Sequence, residues 1–220
     1  MKVQNTDSQV WWIALADEIR PVRGIDGPAL ASGIQSIFNF PSPPNEMKGG
    51  GTEFFNGRLV DGDHDILIEK ITLFNDGINV QVPTTTEDAE IVLQKALTFF
   101  FDLGVRPPTT RPLHFYQSTI VADFECPLES ILPNALLKKM SKAMPIAGDS
   151  HLVNMATSFD PATISDGRWR GINPTVFRIE RRASIPYDVN RYFCVANMKS
   201  ADHMDILKDF EKFAAKAHHR

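Results

Sequence analysis

The stretch Ile66-Leu67-Ile68-Glu69-Lys70-Ile71-Thr72-Leu73-Phe74-Asn75-Asp76-Gly77-Ile78-Asn79-Val80-Gln81-Val82 decides the class of fold. Its second half alternates strictly. Ile78, Val80 and Val82 share one face and Asn79 and Gln81 the other, the period-two pattern of a half-buried strand. Ile66–Phe74 is a second strand, and the Asn75-Asp76-Gly77 run joining them is a tight hairpin, with the Asp-Gly pair expected to supply a positive φ. A hairpin with one polar face belongs to an antiparallel sheet covered on one side.

Working outward, Thr52–Val60 reads as a third strand before the hairpin. After it, Thr84-x-x-Glu87 is a candidate capping box for a helix whose stripe is Ala89, Leu93, Ala96 or Leu97, Phe100 and Phe101. Gly104 is a natural stop, and Pro107 and Pro108 forbid continuation. Phe115–Glu125 is a strand with Ser118, Ile120, Ala122 and Phe124 on one face. A helix broken by Pro133 follows, with Leu136, Leu137, Met140 and Met144 on its apolar side. His151–Phe159, Thr175–Ala183 and Arg191–Met198 read as strands. Ser200 caps a last helix with Met204, Leu207, Phe210, Phe213, Ala214 and Ala217 inward. Towards the N-terminus, residues 1–9 read as a polar arm, Val10–Ala16 as a short buried element and Ala29–Phe40 as a short helix. Pro41, Pro43, Pro44 and Gly49–Gly51 form a break.

Hairpins dominate and helices do not alternate strictly with strands. The expected fold is therefore α+β, a mainly antiparallel sheet with helices packed on one face in a two-layer sandwich. Residues 1–50 are expected as an irregular N-terminal layer and 51–220 as a single domain. Adjacent Trp11 and Trp12 on a strand face opposite sides, and Phe99-Phe100-Phe101 cannot all lie on one helical stripe. That helix is expected to be buried on more than one side.

The 220 residues carry a net charge of −4, so the chain as a whole has no pull toward nucleic acid or acidic membranes. Of its 21 aromatic residues, 15 are Phe, which has no polar tip and suits a dry core or interface. Two cysteines, Cys126 and Cys194, make neither a disulfide framework nor a zinc finger, and both read as buried reduced thiols. No targeting segment is visible, and no run approaches the roughly 18 to 20 apolar residues of a membrane span. A soluble, cytoplasmic protein without membrane contact is expected.

The densest polar cluster, Asp61-Gly62-Asp63-His64-Asp65, has the opening of a calcium loop but puts Ile66 and Thr72 where Gly and Glu are required. It reads as a turn, and no metal or cofactor is expected. Lys48-Gly49-Gly50-Gly51-Thr52 holds the letters of a phosphate loop in the wrong order. The histidines form no metal-binding spacing, although His114 or His151 with a cysteine would suit a nucleophile. One local basic patch spans 168–191: Arg168, Trp169, Arg170, Arg178, Arg181, Arg182 and Arg191, with Tyr187 and Tyr192 interleaved. Arginines among aromatics suit anions, stacked bases or protein partners. On a strand, Arg178, Glu180 and Arg182 equally suit cross-strand pairing with Asp123 and Glu125.

With no catalytic signature, the leading expectation is a non-enzymatic structural or protein-interaction protein that self-associates. The first alternative is a hydrolase or transferase acting on a small anionic substrate. There Arg178, Arg182 and Arg191 would bind the anion, and Asp63, His64 or Asp123 would act in acid–base or metal chemistry. The second is a nucleic-acid-associated module using Trp169 and the arginines of 168–191.

Overall fold

The computed structural model describes residues 1–19, 27–48, 50–132, 134–143, 151, 153–158 and 176–218. The strands are β1 (Lys2–Ile13), β2 (Asn45–Glu46), β3 (Thr52–Asp61), β4 (His64–Phe74), β5 (Gly77–Val82), β6 (Leu113–Asp123), β7 (Asn154–Thr157), β8 (Phe177–Arg181) and β9 (Arg191–Ala196). The helices are α1 (Ala16–Ile19), α2 (Gly27–Ile37), α3 (Thr86–Asp102), α4 (Asn134–Ala143) and α5 (Ser200–His218). All nine strands join one antiparallel sheet in the order β2-β3-β4-β5-β1-β6-β9-β8-β7. The fold is α+β, as the hairpin pattern implies.

The chain divides into two compact units. The first holds 1–6, 119–197 and 201–220, and the second holds 7–118 and 198–200. The boundaries fall inside β1 and β6. Residues 2–9, expected as a polar arm, are instead part of β1. The reason lies in residues further along the strand: Ser8, Val10 and Trp12 alternate inward, and Ser8–Ile13 pairs residue by residue with Val82–Gly77 of β5.

In the second unit, α2 and α3 cover one face of the strands. Val10, Phe54, Ile71, Val80, Val82, Val92, Leu93 and Ala96 are fully buried there. Fully burying such a side chain is worth roughly 1.5–3 kcal/mol, so this face supplies the main drive for folding the unit. The β3–β4 ladder changes its inward parity partway. Phe54 gives way to Gly57 and Leu59, and opposite them Ile71 and Leu73 give way to Ile68 and Ile66. Both strands change at the same level, so pairing continues, and Asn56 takes φ +61°, a conformation Asn tolerates.

The β4–β5 hairpin forms with Phe74 opposite Gly77, so its two-residue turn is Asn75-Asp76. No residue of that turn has a positive φ. The expected reason for Gly77 is thus corrected: a Cβ there would lie 2.3 Å from the Trp12 carbonyl oxygen, so Gly77 admits β1 at close range. The cap of α3 also moves by one residue. Thr85, not Thr84, accepts the Asp88 N–H at 3.3 Å. At the other end Gly104 N–H reaches Phe101 O and Val105 N–H reaches Phe100 O, both at 3.0 Å, the paired bonds of a Schellman stop.

Trp12 faces the core, whereas Trp11 stacks between Phe74 and Phe115 on the opposite side, with centroids 6.0 and 5.7 Å away. The Phe99–Phe101 run is half-buried throughout and packed on the same core. Phe99 lies on Gly33 of α2 so closely that a Cβ there would fall 2.0 Å from its ring. The end of α3 is therefore covered by a helix as well as by the sheet, as the triplet requires.

Four hydroxyls form a buried knot in this unit. Ser200 Oγ accepts the Thr86 N–H at 3.0 Å, and Thr86 Oγ1 accepts the Ser200 N–H at 2.7 Å. Ser8 and Ser118 lie 3.1 and 3.2 Å from Ser200 Oγ. The first residues of α3 and α5 thus cap one another.

In the first unit, Ile120, Ala122, Phe124, Ile179, Tyr192 and Cys194 pack with Leu207 and Ala214 of α5. Ser118, Ile120, Ala122 and Phe124 are all buried, as the alternation predicts. Three expected inward positions are corrected. Phe213 is 63% exposed, while His203 is fully buried in the core-facing stripe of α5. On α4, Leu136 and Met140 are exposed rather than inward. A 3-10 turn (Leu128–Ile131) precedes α4, and Pro133, the expected break, lies outside the described residues, as does Met144.

Candidate functional site

The residues singled out in the sequence separate in space. Arg178 and Glu180 alternate with buried Ile179 on β8, and Arg191 stands on β9 across from the backbone of Arg182. Arg191 is held by Asp123 of β6: Nε and Nη2 donate to the two carboxylate oxygens at 2.6 and 2.8 Å. Gln4 adds a donor to Asp123 at 2.7 Å. The hydrogen bonds from Arg191, helped by its charge and by Gln4, outweigh burial and hold the Asp123 carboxyl below its usual range. Arg178 Nε lies 3.5 Å from Glu180 Oε2. The exposed Arg182 guanidinium lies 5.7 Å from the Phe193 ring centroid. The expected pairing of Arg178, Glu180 and Arg182 with Asp123 and Glu125 is not what forms: β9 lies between β8 and β6, so Arg178 meets Glu180 on its own strand and Asp123 is taken by Arg191. Arg168, Trp169 and Arg170 lie outside the described residues.

Arg181 is the arginine that a surface reading misses. It shares the inner side of β8 with Ile179 and is only 7% exposed. Its Nη1 donates to the Tyr187 carbonyl and its Nη2 to the Tyr192 hydroxyl, each at 3.0 Å. The guanidinium carbon lies 4.7 Å from the Tyr187 ring centroid and 4.9 Å from that of Tyr192, and His151 stacks on Tyr187 at 4.2 Å. The period-two alternation carried this signal, because Arg181 falls in phase with Phe177 and Ile179.

The Asp61–Asp65 cluster is spread around a hairpin turn in the second unit. Asp61 binds Lys95 of α3 at 2.7 Å, and Asp65 takes a two-pronged contact from Arg58. Asp63 and His64 are exposed at the turn. Among the described residues, no three His, Cys, Asp or Glu side chains are grouped to hold a metal ion. Cys126 and Cys194 are buried, unpaired thiols. Burial pushes Cys194 up to about 12. Burial first, then the charges of Glu211 and Glu125, raises Cys126. A nucleophilic cysteine needs the opposite shift.

His114, which the sequence offered as a partner for a cysteine, instead meets Glu90 and joins α3 to β6 in the second unit. His114 Nε2 lies 2.9 Å from Glu90 Oε2, and Gln94 donates to Glu90 Oε1 at 2.7 Å. The His114 and Tyr116 rings lie 5.1 Å apart, and Lys199 Nζ is 5.5 Å from the Tyr116 centroid. Burial opposes the charged Glu90, but the bonds from His114 and Gln94 and the charges of His114 and Lys199 outweigh it, so its carboxyl titrates low. Burial first, and then Glu90, raises the Tyr116 phenol. A carboxylate already engaged by two donors acts as an anchor between helix and strand.

The remaining surface feature of note is on α5. Ile206 and Phe213 stand one stripe away from the core-facing His203, Leu207 and Ala214. With Ile131, Asp209 and half-buried Phe210 they line an open hollow of about 360 Å³. Asp202 and Asp205 stand near the start of this helix and Lys212 and Lys216 toward its end, with Lys208, Asp209 and Glu211 interleaved between them. Lys208–Asp205 and Lys212–Asp209 pair along the helix at 2.9 Å each. No described helix is long and apolar enough to cross a membrane. Compared with protein-family models and with curated proteins, the chain matches none.

Proposed function

We propose that the chain is a soluble, cytoplasmic, non-enzymatic interaction protein that self-associates, and that α5 docks on α5 of a second copy. The observation that carries this reading is Phe213, 63% exposed on a helix whose other stripe already fills the core. Large aromatics at the centre of an apolar patch are the usual anchors of interfaces. The occupant follows from charge. In an antiparallel pair, Ile206 of one copy meets Phe213 of the other, and Asp202 and Asp205 approach Lys216 and Lys212. A two-fold axis through the middle of α5 makes the surface self-complementary. The alternative of an enzyme binding a small anion draws less support, since its expected anchor Arg191 is already spanned by Asp123.

Sedimentation velocity tests the proposal. The chain is expected to sediment as a dimer and Phe213→Asp as a monomer, with far-ultraviolet dichroism unchanged because the side chain is exposed in the single chain. A wild-type monomer at every concentration, or a dimer indifferent to Phe213→Asp, overturns it.

A further inference from the structure

The second unit contains a cavity of about 470 Å³ that neither the fold nor the α5 interface requires. Its walls come from three elements: Trp12 and Leu73 from the sheet, Ala31 from α2, and Leu97, Phe100 and Phe101 from α3. This volume lies within the range of small-molecule sites, and such sites are largely apolar with a few placed polar groups. The small residues Gly27 and Ala31 on α2 keep it open. Phe99, the one residue of its triplet outside the lining, turns onto Gly33 instead.

The lining also specifies chemistry. None of the described residues lining the cavity is charged. Against that described lining an ionised ligand would lose its hydration with no counter-ion to replace it, which favours uncharged compounds. The polar side chains are Thr52 and Asn75, which belong to neighbouring strand ends: Thr52 pairs with Leu73, and Asn75 follows Phe74. We infer that the cavity is a binding site for an uncharged, mostly apolar small molecule carrying one hydrogen-bonding end, directed at Thr52 and Asn75. The aromatic rings of Trp12, Phe100 and Phe101 suit a planar body.

The test uses the full chain and N-phenyl-1-naphthylamine, an uncharged planar fluorophore with a single N–H. Saturable binding of one molecule per chain is expected. Ala31→Phe, which fills the space, is expected to weaken it by roughly tenfold or more. The anionic relative 8-anilinonaphthalene-1-sulfonate is expected to bind far more weakly, which gives a readout independent of any variant's folding. Phe213→Asp is expected to leave probe binding unchanged, which separates this site from the α5 surface. Absence of saturable binding, equal affinity for the anionic probe, or loss of binding in Phe213→Asp each overturns the inference.

Discussion

His203 shows how one side chain sets a pH response. It is fully buried, edge-on to Phe177 at 5.8 Å, and burial pulls its imidazole from 6.5 down to about 4. As pH falls, the unfolded chain takes up this proton near its ordinary value, while the folded chain refuses it until about 4. The unfolded state therefore binds more protons across that window, and stability falls with pH. The loss at pH 5 relative to pH 8 is about 2 kcal/mol from this group alone. Denaturant melts at the two pH values are expected to show His203→Leu losing about 2 kcal/mol less than the wild type. Identical losses would remove His203 as the cause. The same position explains a misreading of the sequence. The stripes His203–Leu207–Phe210–Ala214 and Ile206–Phe210–Phe213–Ala217 lie side by side on α5. Hydrophobicity favours the second, yet the first faces the core. Only the neighbouring strands select between them.

At the scale of elements, the parts legible from sequence are those whose causes are local. The 66–82 hairpin follows from alternation, and α3 follows from its stripe and its glycine stop. The reasons given for single residues were less secure. Thr84 and Thr85 are equally good caps in sequence, but Thr85 Oγ1 receives the Asp88 N–H while Thr84 Oγ1 is buried without a hydrogen-bond partner. Thr85→Ala is thus expected to cost about 1 kcal/mol and Thr84→Val very little, read from thermal or urea midpoints. The reverse order would restore the cap to Thr84. The first half of β1 was illegible because Val3 is the one apolar residue among its first six. Its place beside β6 depends on partners such as Asp123, 119 positions beyond Gln4.

For the whole molecule, the division of charge along α5 makes a stronger test than removal of one aromatic. Asp202→Lys with Asp205→Lys sets basic residues against Lys216 and Lys212 of a second copy, and dissociation is expected. Adding Lys212→Asp and Lys216→Asp exchanges the two ends and is expected to restore the dimer in sedimentation. A parallel pairing would not recover. The effect should fade as salt rises, since such contacts are exposed and screened. Of the candidate site, that Asp123 and the β8 charges would be paired was readable, but not with whom: Asp123 is taken by Arg191 and Arg178 by Glu180, because β9 stands between β6 and β8. The cavity was not readable, because an empty space arises from elements brought together over long distances in the chain.

The hydroxyl knot links folding to the order of synthesis. Thr86 and Ser200 complete each other's helix starts across 114 positions of sequence. A ribosome that has delivered α3 and every strand but not yet residue 200 holds a chain whose Thr86 N–H and Ser8 and Ser118 hydroxyls still lack their common partner. Of these, the Thr86 N–H is the group that Ser200 alone is shown to meet, and leaving it buried and unmet costs free energy. The start of α3 is therefore settled late, when the beginning of α5 emerges, and a chain truncated before Ser200 forgoes that closure.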